Sequence, residues 1–297
     1  MRTNSVTILN LHKVSVRKEN SSTWPPLDIE LFENLIVYLK RNYHFRTFST
    51  LFHEPEDKPI IILSFDDGYK NFIEYAVPLL EKYAVKVNQN VLPGCSYDGM
   101  PPLNVMAQDF IGAAPRVLLN SLEIPNLPVS SAGISRNEFG NLVSKHIKYL
   151  PMEEQKVLKP YLLEYFFKFT EYTFTPMMSI DEIVQISKVH EIGMHSWDHA
   201  SMGVETDEYF RQDLASCIKF SEDVLKTNSR IYAFPNGSYN RQQLGISSDL
   251  GYQKMLLVDE SFASTEGQTF KRFNFDAANM SELRYRVTGN FGKIRQK

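Results

Sequence analysis

Two pairs of residues in this sequence have the types and the spacing to do chemistry together. Asp66 and Asp67 are adjacent and follow the apolar run Ile60-Ile61-Ile62-Leu63, and His195 and His199 stand four apart in His195-Ser196-Trp197-Asp198-His199. Neighbouring carboxylates at the mouth of an apolar core repel each other and lose solvation, so a fold keeps them there only where a cation or a reacting proton compensates. Two imidazoles four residues apart face the same way if residues 196–199 turn helically, and both can then bind one metal ion. A carboxylate oxygen from Asp67 completes a set of two nitrogens and one oxygen. Coordination positions remain for water and substrate, which describes a catalytic rather than a structural metal site. These donors suit zinc first, then cobalt, nickel or iron. The competing reading takes Asp67 as a helix cap after a strand and the histidines as ordinary core or surface residues. It accounts for each pair alone, and less well for both pairs following strand ends.

Such side chains need rigid positions. Four consecutive aliphatic residues after Pro59 read as a strand buried on both faces, and Gly68 permits the tight turn that follows. Residues 69–83 carry Phe72, Ile73, Ala76, Val77, Leu80 and Tyr83 on one helical face, with Pro78 expected to kink it. Further strands are expected at 6–11, 85–91, 191–194, 230–234 and 254–258, the second of these alternating so as to bury one face. Helices are expected at 27–42, after a capping box of Ser179 and Glu182, at 206–226, and from Asn240 to Gly251. Residues 43–52 should hold a short strand or turn before a loop at 53–58, and residues 270–287 a last strand and helix. From 92 to about 176 the rhythm changes to helical stretches at 104–119, 136–148 and 152–170 between proline- and glycine-bearing loops, with no strong strand. The aromatic residues of 161–174 read there as packing surface. Strand and helix alternate elsewhere, and parallel α/β folds place their sites beyond the carboxyl ends of their strands.

Composition narrows the partners. In 297 residues, 32 basic and 35 acidic side chains are well mixed and give a formal charge of -3, so no electrostatic footprint for nucleic acid or an anionic membrane is present. Cys95 and Cys217 are far apart and in no paired or metal-type spacing, so neither a disulfide framework nor a cysteine zinc site is indicated. No apolar run reaches membrane-spanning length and no signal peptide is evident, so the expected localisation is cytoplasmic, without membrane insertion. Oligomeric state is not legible.

The segments Ser64-Phe65-Asp66-Asp67-Gly68, then His195-Ser196-Trp197-Asp198-His199, then Phe234-Pro235-Asn236-Gly237-Ser238-Tyr239-Asn240 resemble, in that order, the first three motifs of the polysaccharide deacetylases, the NodB-homology enzymes of carbohydrate esterase family four. The resemblance spans roughly residues 5–95 and 178–260. It implies an α/β fold, a distorted (β/α)7-type barrel, as a single domain over 1–297 with a mostly helical insertion at about 93–177. It assigns Asp67, His195 and His199 to a divalent metal, most readily zinc, and Asp66 to the general base. It further places the oxyanion of the reaction at the backbone of Asn236, with Pro235 and Trp197 beside the substrate, although Trp197 reads more readily as a core anchor. Two departures stand out. Where the common third motif begins with an arginine that holds the base aspartate, this chain has Ala233, and Arg272 is a remote substitute. No histidine follows His199, whereas a late histidine usually protonates the departing amine. The circularly permuted branch, which includes poly-N-acetylglucosamine deacetylases, takes its acid from an N-terminal Tyr-His segment, and Leu11-His12 stands at the matching place. His12 is therefore the candidate acid. His190, at a helix end, reads as a partner of the helix dipole.

The activity so implied is metal-dependent hydrolysis of the acetamide of an N-acetylated sugar or polysaccharide, with the insertion favouring a defined lipid-linked or nucleotide-linked sugar. The alternatives are hydrolysis of a non-sugar amide or cyclic imide by the same metal and base, and a carbohydrate-binding homologue without turnover.

Overall fold

In the computed structural model, which describes residues 5–16, 22–51 and 57–288, seven parallel strands follow one another around a sheet in chain order. They are β1 (Ser5–Leu11), β2 (Ile60–Phe65), β3 (Asn88–Val91), β4 (Glu191–Met194), β5 (Ile231–Ala233), β6 (Lys254–Leu257) and β7 (Thr269–Lys271). Their ladders run β1 with β2, β2 with β3, β3 with β4, β4 with β5, β5 with β6 and β6 with β7, all parallel. The sheet then curls back on itself. Immediately after β7 the chain changes neighbour at Arg272, and Phe273–Asn274 pairs in parallel with Leu9 and Asn10 of β1. A short antiparallel pairing of Ala263–Ser264 with Ser5 and Val6 covers the same edge. The result is a nearly closed barrel with helices around it, the (β/α)7 arrangement expected from the sequence.

The apolar run of β2 explains why it is central. Ile61, Ile62, Leu63 and Phe65 are fully buried, Ile62 among one set of apolar side chains and Ile61, Leu63 and Phe65 among another, as a strand covered on both faces requires. The helix Ile29–Asn42 lays Phe32, Leu35, Ile36 and Leu39 on the barrel and is started by Asp28, whose carboxylate accepts the N–H groups of Glu30 and Leu31. Ser179 and Glu182 form the expected capping box at Ile180–Ser187, and Asn240 and Gln243 form a second one at Arg241–Asp249. No helix of the described residues is long and apolar enough to cross a membrane.

Several expectations change in detail. The expected strand at 85–91 is paired only over Asn88–Val91, and all four of its residues are buried, so its polar members face the interior rather than solvent. The 69–83 helix is a π-helical turn, Phe72–Ala76, running into the α-helix Val77–Lys82, with Pro78 in the first turn of the latter. The 104–119 helix is two helices, Leu103–Ala113 and Arg116–Asn120, because Pro115 holds Ala114 extended. His190 is buried without a hydrogen-bond partner for either ring nitrogen, and burial pushes its pKa down to about 4, so the ring is neutral and does not act as a cationic dipole partner. Part of the expected loop at 53–58 lies outside the described residues.

Between β3 and Ser179 the chain forms Pro93–Asp98, Leu103–Ala113, Arg116–Asn120, Arg136–Lys148 and Met152–Phe166. Phe110, Phe139, Val143, Ile147, Leu162 and Phe166 give these helices a core of their own, with the rings of Phe110 and Phe166 stacked 4.5 Å apart. The segment returns to the barrel beside the aspartate turn: Lys70 donates to the Pro176 carbonyl at 2.8 Å, and Met178 to that of Gly68 at 3.0 Å.

Candidate active site

The residues singled out in the sequence follow the carboxyl ends of different strands: His12 after β1, Asp66 and Asp67 after β2, His195 after β4 and Asn236 after β5. The turn after β2 is tight. The Asp66 N–H donates to the Leu11 carbonyl at 2.9 Å, and Asp67 and Gly68 both take positive φ, 77° and 78°. A left-handed aspartate followed by a left-handed glycine is a strained turn, held by its surroundings, and it aims two adjacent carboxylates into the barrel mouth.

The two carboxylates have different environments. Asp66 receives both arms of the Arg272 guanidinium, Nη1 to Oδ1 and Nη2 to Oδ2 at 2.8 Å each, and the amide of Asn90 at 2.7 Å. Arg272 is itself fully buried and also donates to Asn10 Oδ1 at 2.9 Å and Ser64 Oγ at 3.0 Å. Burial alone would raise the Asp66 pKa, but the Arg272 charge, with His195 and the Arg272 hydrogen bonds, outweighs it and holds the carboxyl well below the usual range. Asp66 is thus a fixed, ionised carboxylate. Asp67 lacks such a partner: its Oδ1 is buried without a hydrogen bond, 3.4 Å from His195 Nε2 and 3.4 Å from His199 Nε2. Burial raises its pKa too, and the facing imidazoles of His199 and His195 more than offset this.

Asp67, His195 and His199 can each offer one ligand atom, all within 4.8 Å of one another. His195 Nδ1 lies 2.8 Å from the Ala233 carbonyl, which fixes the proton on Nδ1 and leaves the Nε2 lone pair facing Asp67. Burial depresses the His199 pKa to about 3, which favours the neutral ring that a metal ligand needs. An orphaned buried carboxylate oxygen and two imidazole nitrogens converging on one point fit a divalent cation.

The histidines do not converge by a helical turn. Residues 195–200 form no helix, and Ser196 and His199 adopt φ of 65° and 66°. The loop is held from outside: Trp197 N–H donates to Asp213 Oδ1 at 2.8 Å, Ala200 N–H to Ser196 Oγ at 3.0 Å, and Gly94 N–H to the Trp197 carbonyl at 2.9 Å. A Cβ at Gly94 would stand 2.1 Å from Asp198 Oδ1 and 2.6 Å from the Trp197 ring, so the helical segment meets the histidine loop without space for a side chain. Asp213 is buried with Tyr232 donating to its other oxygen at 3.0 Å, and desolvation pushes its pKa up to about 7.

A cavity of about 580 Å³ opens over these groups, lined by His12, Asp66, Asp67, His195, His199 and Asn236. His12 stands edge-on to Trp24 at 5.0 Å, and burial lowers its pKa while Asp67 and Asp66 pull it back up. Asn236 is exposed at φ 57°, its amide donating to Ser201 Oγ at 2.9 Å. Two expected substrate residues are not part of the lining. Pro235 is buried beneath the Asn236 turn, and Trp197 stacks on Tyr97 and meets Phe220 edge-on, which makes it an anchor of the loop. Sequence reasoning missed Asn90, Asn10, Ser64, Lys13 and Tyr69. A signal existed for the first: Asn88-Gln89-Asn90 are polar residues in a barrel strand, and Asn90 points at Asp66. Tyr69, next to the aspartate turn, has a buried hydroxyl whose pKa is pushed well up, first by desolvation and then by Asp67.

Comparison with known proteins bears on this geometry. Residues 154–255 match the family model described as polysaccharide deacetylase, a stretch that includes both histidines and the Asn236 turn. No curated protein matches the sequence. Among solved structures, the deacetylase PplD of Streptococcus pyogenes, in complex with acetate, superposes with a TM-score of 0.63 at 16% identity, covering 95% of this chain and 97% of its own. IcaB from Ammonifex degensii gives 0.58 at 13% identity, covering 97% of each chain. A de-N-acetylase from Aggregatibacter actinomycetemcomitans gives 0.59 at 14% identity, covering 94% of this chain and 98% of its own. At such identities the superpositions establish the fold, a barrel of the kind these deacetylases have, and the match to the polysaccharide deacetylase model stands for residues 154–255.

Proposed function

We propose that the protein is a metal-dependent N-deacetylase that hydrolyses the acetamide of an N-acetylated sugar. The observation that carries the reading is the division of labour between the adjacent aspartates: Asp66 clamped by Arg272, Asp67 with an unpaired oxygen facing two imidazoles. Asp67, His195 and His199 hold the cation, which when bound supplies Lewis acidity and makes water a better nucleophile near neutral pH.

The remaining steps belong to the chain. Asp66, free of the ligand set and fixed in orientation by Arg272 and Asn90, accepts the proton of the attacking water. The acetamide carbon becomes tetrahedral, and the Asn236 turn, which lines the cavity, offers the proposed backbone donor to its oxygen. The nitrogen must gain a proton before the carbon–nitrogen bond breaks. His12, in the same cavity and between the fields of two carboxylates, is the proposed donor. Acetate and a free amine leave.

Acetate release by the zinc- or cobalt-loaded protein from N-acetylated sugars, free, polymeric and nucleotide-linked, tests this, with Asp66→Asn alongside. Metal-dependent release that the variant lacks is expected. If none of the sugars yields acetate while metal is bound, the reading is wrong and a non-sugar amide becomes the substrate to try.

A further inference from the structure

The cavity holds amines that deacetylation of a neutral sugar does not require. Lys13, Lys145 and Lys148 all line it. Lys13 follows His12 directly; its side chain is only 3% exposed, its Nζ has no hydrogen-bond partner, and it lies 4.3 Å over the Trp24 ring. Burying an ammonium without a hydrogen bond is costly unless something in the cavity completes it. The other two amines come from the helix Arg136–Lys148, which is two-faced. Phe139, Val143 and Ile147 enter the core of the helical segment, while Asn141, Ser144, Lys145 and Lys148, at helical spacings of three and four, form a polar stripe along the cavity.

The acids of the site do not explain these lysines. Arg272 already neutralises Asp66, and Asp67 belongs to the histidine cluster. Asp109 and Asp67 act on Lys13 only through the field, and no carboxylate lies within ion-pair distance of any of the three amines among the described residues. The acids on the barrel side of the mouth have their own partners: Asp276 faces Arg286 at 3.8 Å, and Glu260 accepts the Asn274 N–H. Lys148 is within electrostatic reach of Asp67 and His199, which places its charge close to where the acetamide would react.

We propose that Lys13, Lys145 and Lys148 bind an oxyanion carried by the substrate next to its acetamide, so that the preferred substrate is an N-acetylated sugar bearing a phosphoryl or carboxylate group. The inference rests on the deacetylase reading for the acetamide and on the lysines for the oxyanion. Lysine acts as a point charge without the planar fork of arginine, so the site selects charge and leaves the phosphoryl or carboxylate identity to experiment.

The test compares kcat/KM of the metal-loaded full chain for N-acetylglucosamine, its 1-phosphate and 6-phosphate esters, and an N-acetylated hexosaminuronic acid. A preference of roughly 10-fold or more for an anionic sugar is expected, reduced by added salt and reduced roughly 10-fold in Lys148→Gln. The preferred arm identifies the oxyanion. Binding of N-acetylglucosamine 6-phosphate to Asp66→Asn protein, measured by calorimetry with and without Lys148→Gln and Lys145→Gln, gives a readout without turnover. These helix positions are safer to change than buried Lys13. Acetate release with equal kcat/KM for neutral and anionic sugars overturns the oxyanion site and leaves the deacetylase standing. Lysine-dependent binding of the anionic sugars without acetate release from any sugar does the reverse.

Discussion

Arg272 and Asp66 meet through two parallel hydrogen bonds of 2.8 Å although 206 residues separate them. The contact exists because the chain changes partner at Arg272, leaving β6 after Lys271 and joining β1 at Phe273. The residue at that crossing turns its side chain into the barrel, where Asn10, Ser64 and Asp66 fill its donors. One arginine thereby links closure of the sheet to the ionisation and orientation of the proposed base.

Removing it should be felt in both. Arg272→Ala leaves a buried carboxylate uncompensated, at a cost of about 3–5 kcal/mol for breaking such a pair. Arg272→Lys keeps a charge and loses the fork, so it should fold better than the alanine variant yet recover little activity. Denaturant unfolding together with acetate release checks this, and an alanine variant of native stability and activity would remove Arg272 from its assigned place.

The ligand set makes a separable prediction. His199→Ala and His195→Ala should lose tightly bound zinc or cobalt, read by metal analysis after dialysis, and lose turnover with it. Asp66→Asn should retain the metal while turnover falls on the order of 10²–10⁴-fold, the range for a general base. Loss of metal in Asp66→Asn would mean that both aspartates are ligands.

What the sequence disclosed and what it hid have physical reasons. The aspartate pair was legible because a both-faces-buried strand and a glycine turn are local signals; strands and helices in alternation pointed to a parallel α/β fold, and the barrel was what the resemblance to the deacetylase motifs implied. Arg272 was visible only as a remote substitute for the arginine replaced by Ala233, since no local pattern announces where a barrel closes. Asn90 was hidden by the assumption that polar residues of an alternating strand face water. In a barrel the inward positions near the active end carry polar groups, and Asn90 finds Ser64 and Asp66 there. The spacing of His195 and His199 was right for convergence and wrong about its cause, because two left-handed residues bring the rings together where a helical turn was expected. Helix geometry and loop geometry can share a spacing, and only the packing around Trp197 decides between them.

That packing predicts an effect away from the reacting groups. Gly94→Ala would press a methyl group against Asp198 and Trp197, with contacts of 2.1 and 2.6 Å unless the loop moves. Overpacking of this kind costs about 1–3 kcal/mol. Because the displaced loop carries both histidines, metal affinity should fall along with stability. Titration of zinc against a competing chelator would read this, and unchanged affinity in a destabilised variant would show that the loop yields without moving its histidines.

Asp213 supports the same loop from the other side and predicts a pH signature. Its carboxyl is pushed up to about 7 by desolvation, although the Trp197 N–H and Tyr232 hydroxyl favour its charged form. A carboxyl whose folded pKa exceeds its unfolded value binds its proton more tightly in the folded state, so its contribution to stability is fully present below the unfolded pKa, about 3.9, and is lost as pH rises through the folded value. Asp213→Asn keeps an oxygen for Trp197 and cannot ionise. The difference in stability between variant and wild type should therefore shift in the variant's favour from about pH 4 to about pH 7 and then level off. Melting temperatures of both proteins across that range provide the measurement. A difference that stays flat would place the Asp213 carboxyl at an ordinary pKa, ionised throughout and paired to the loop by charge.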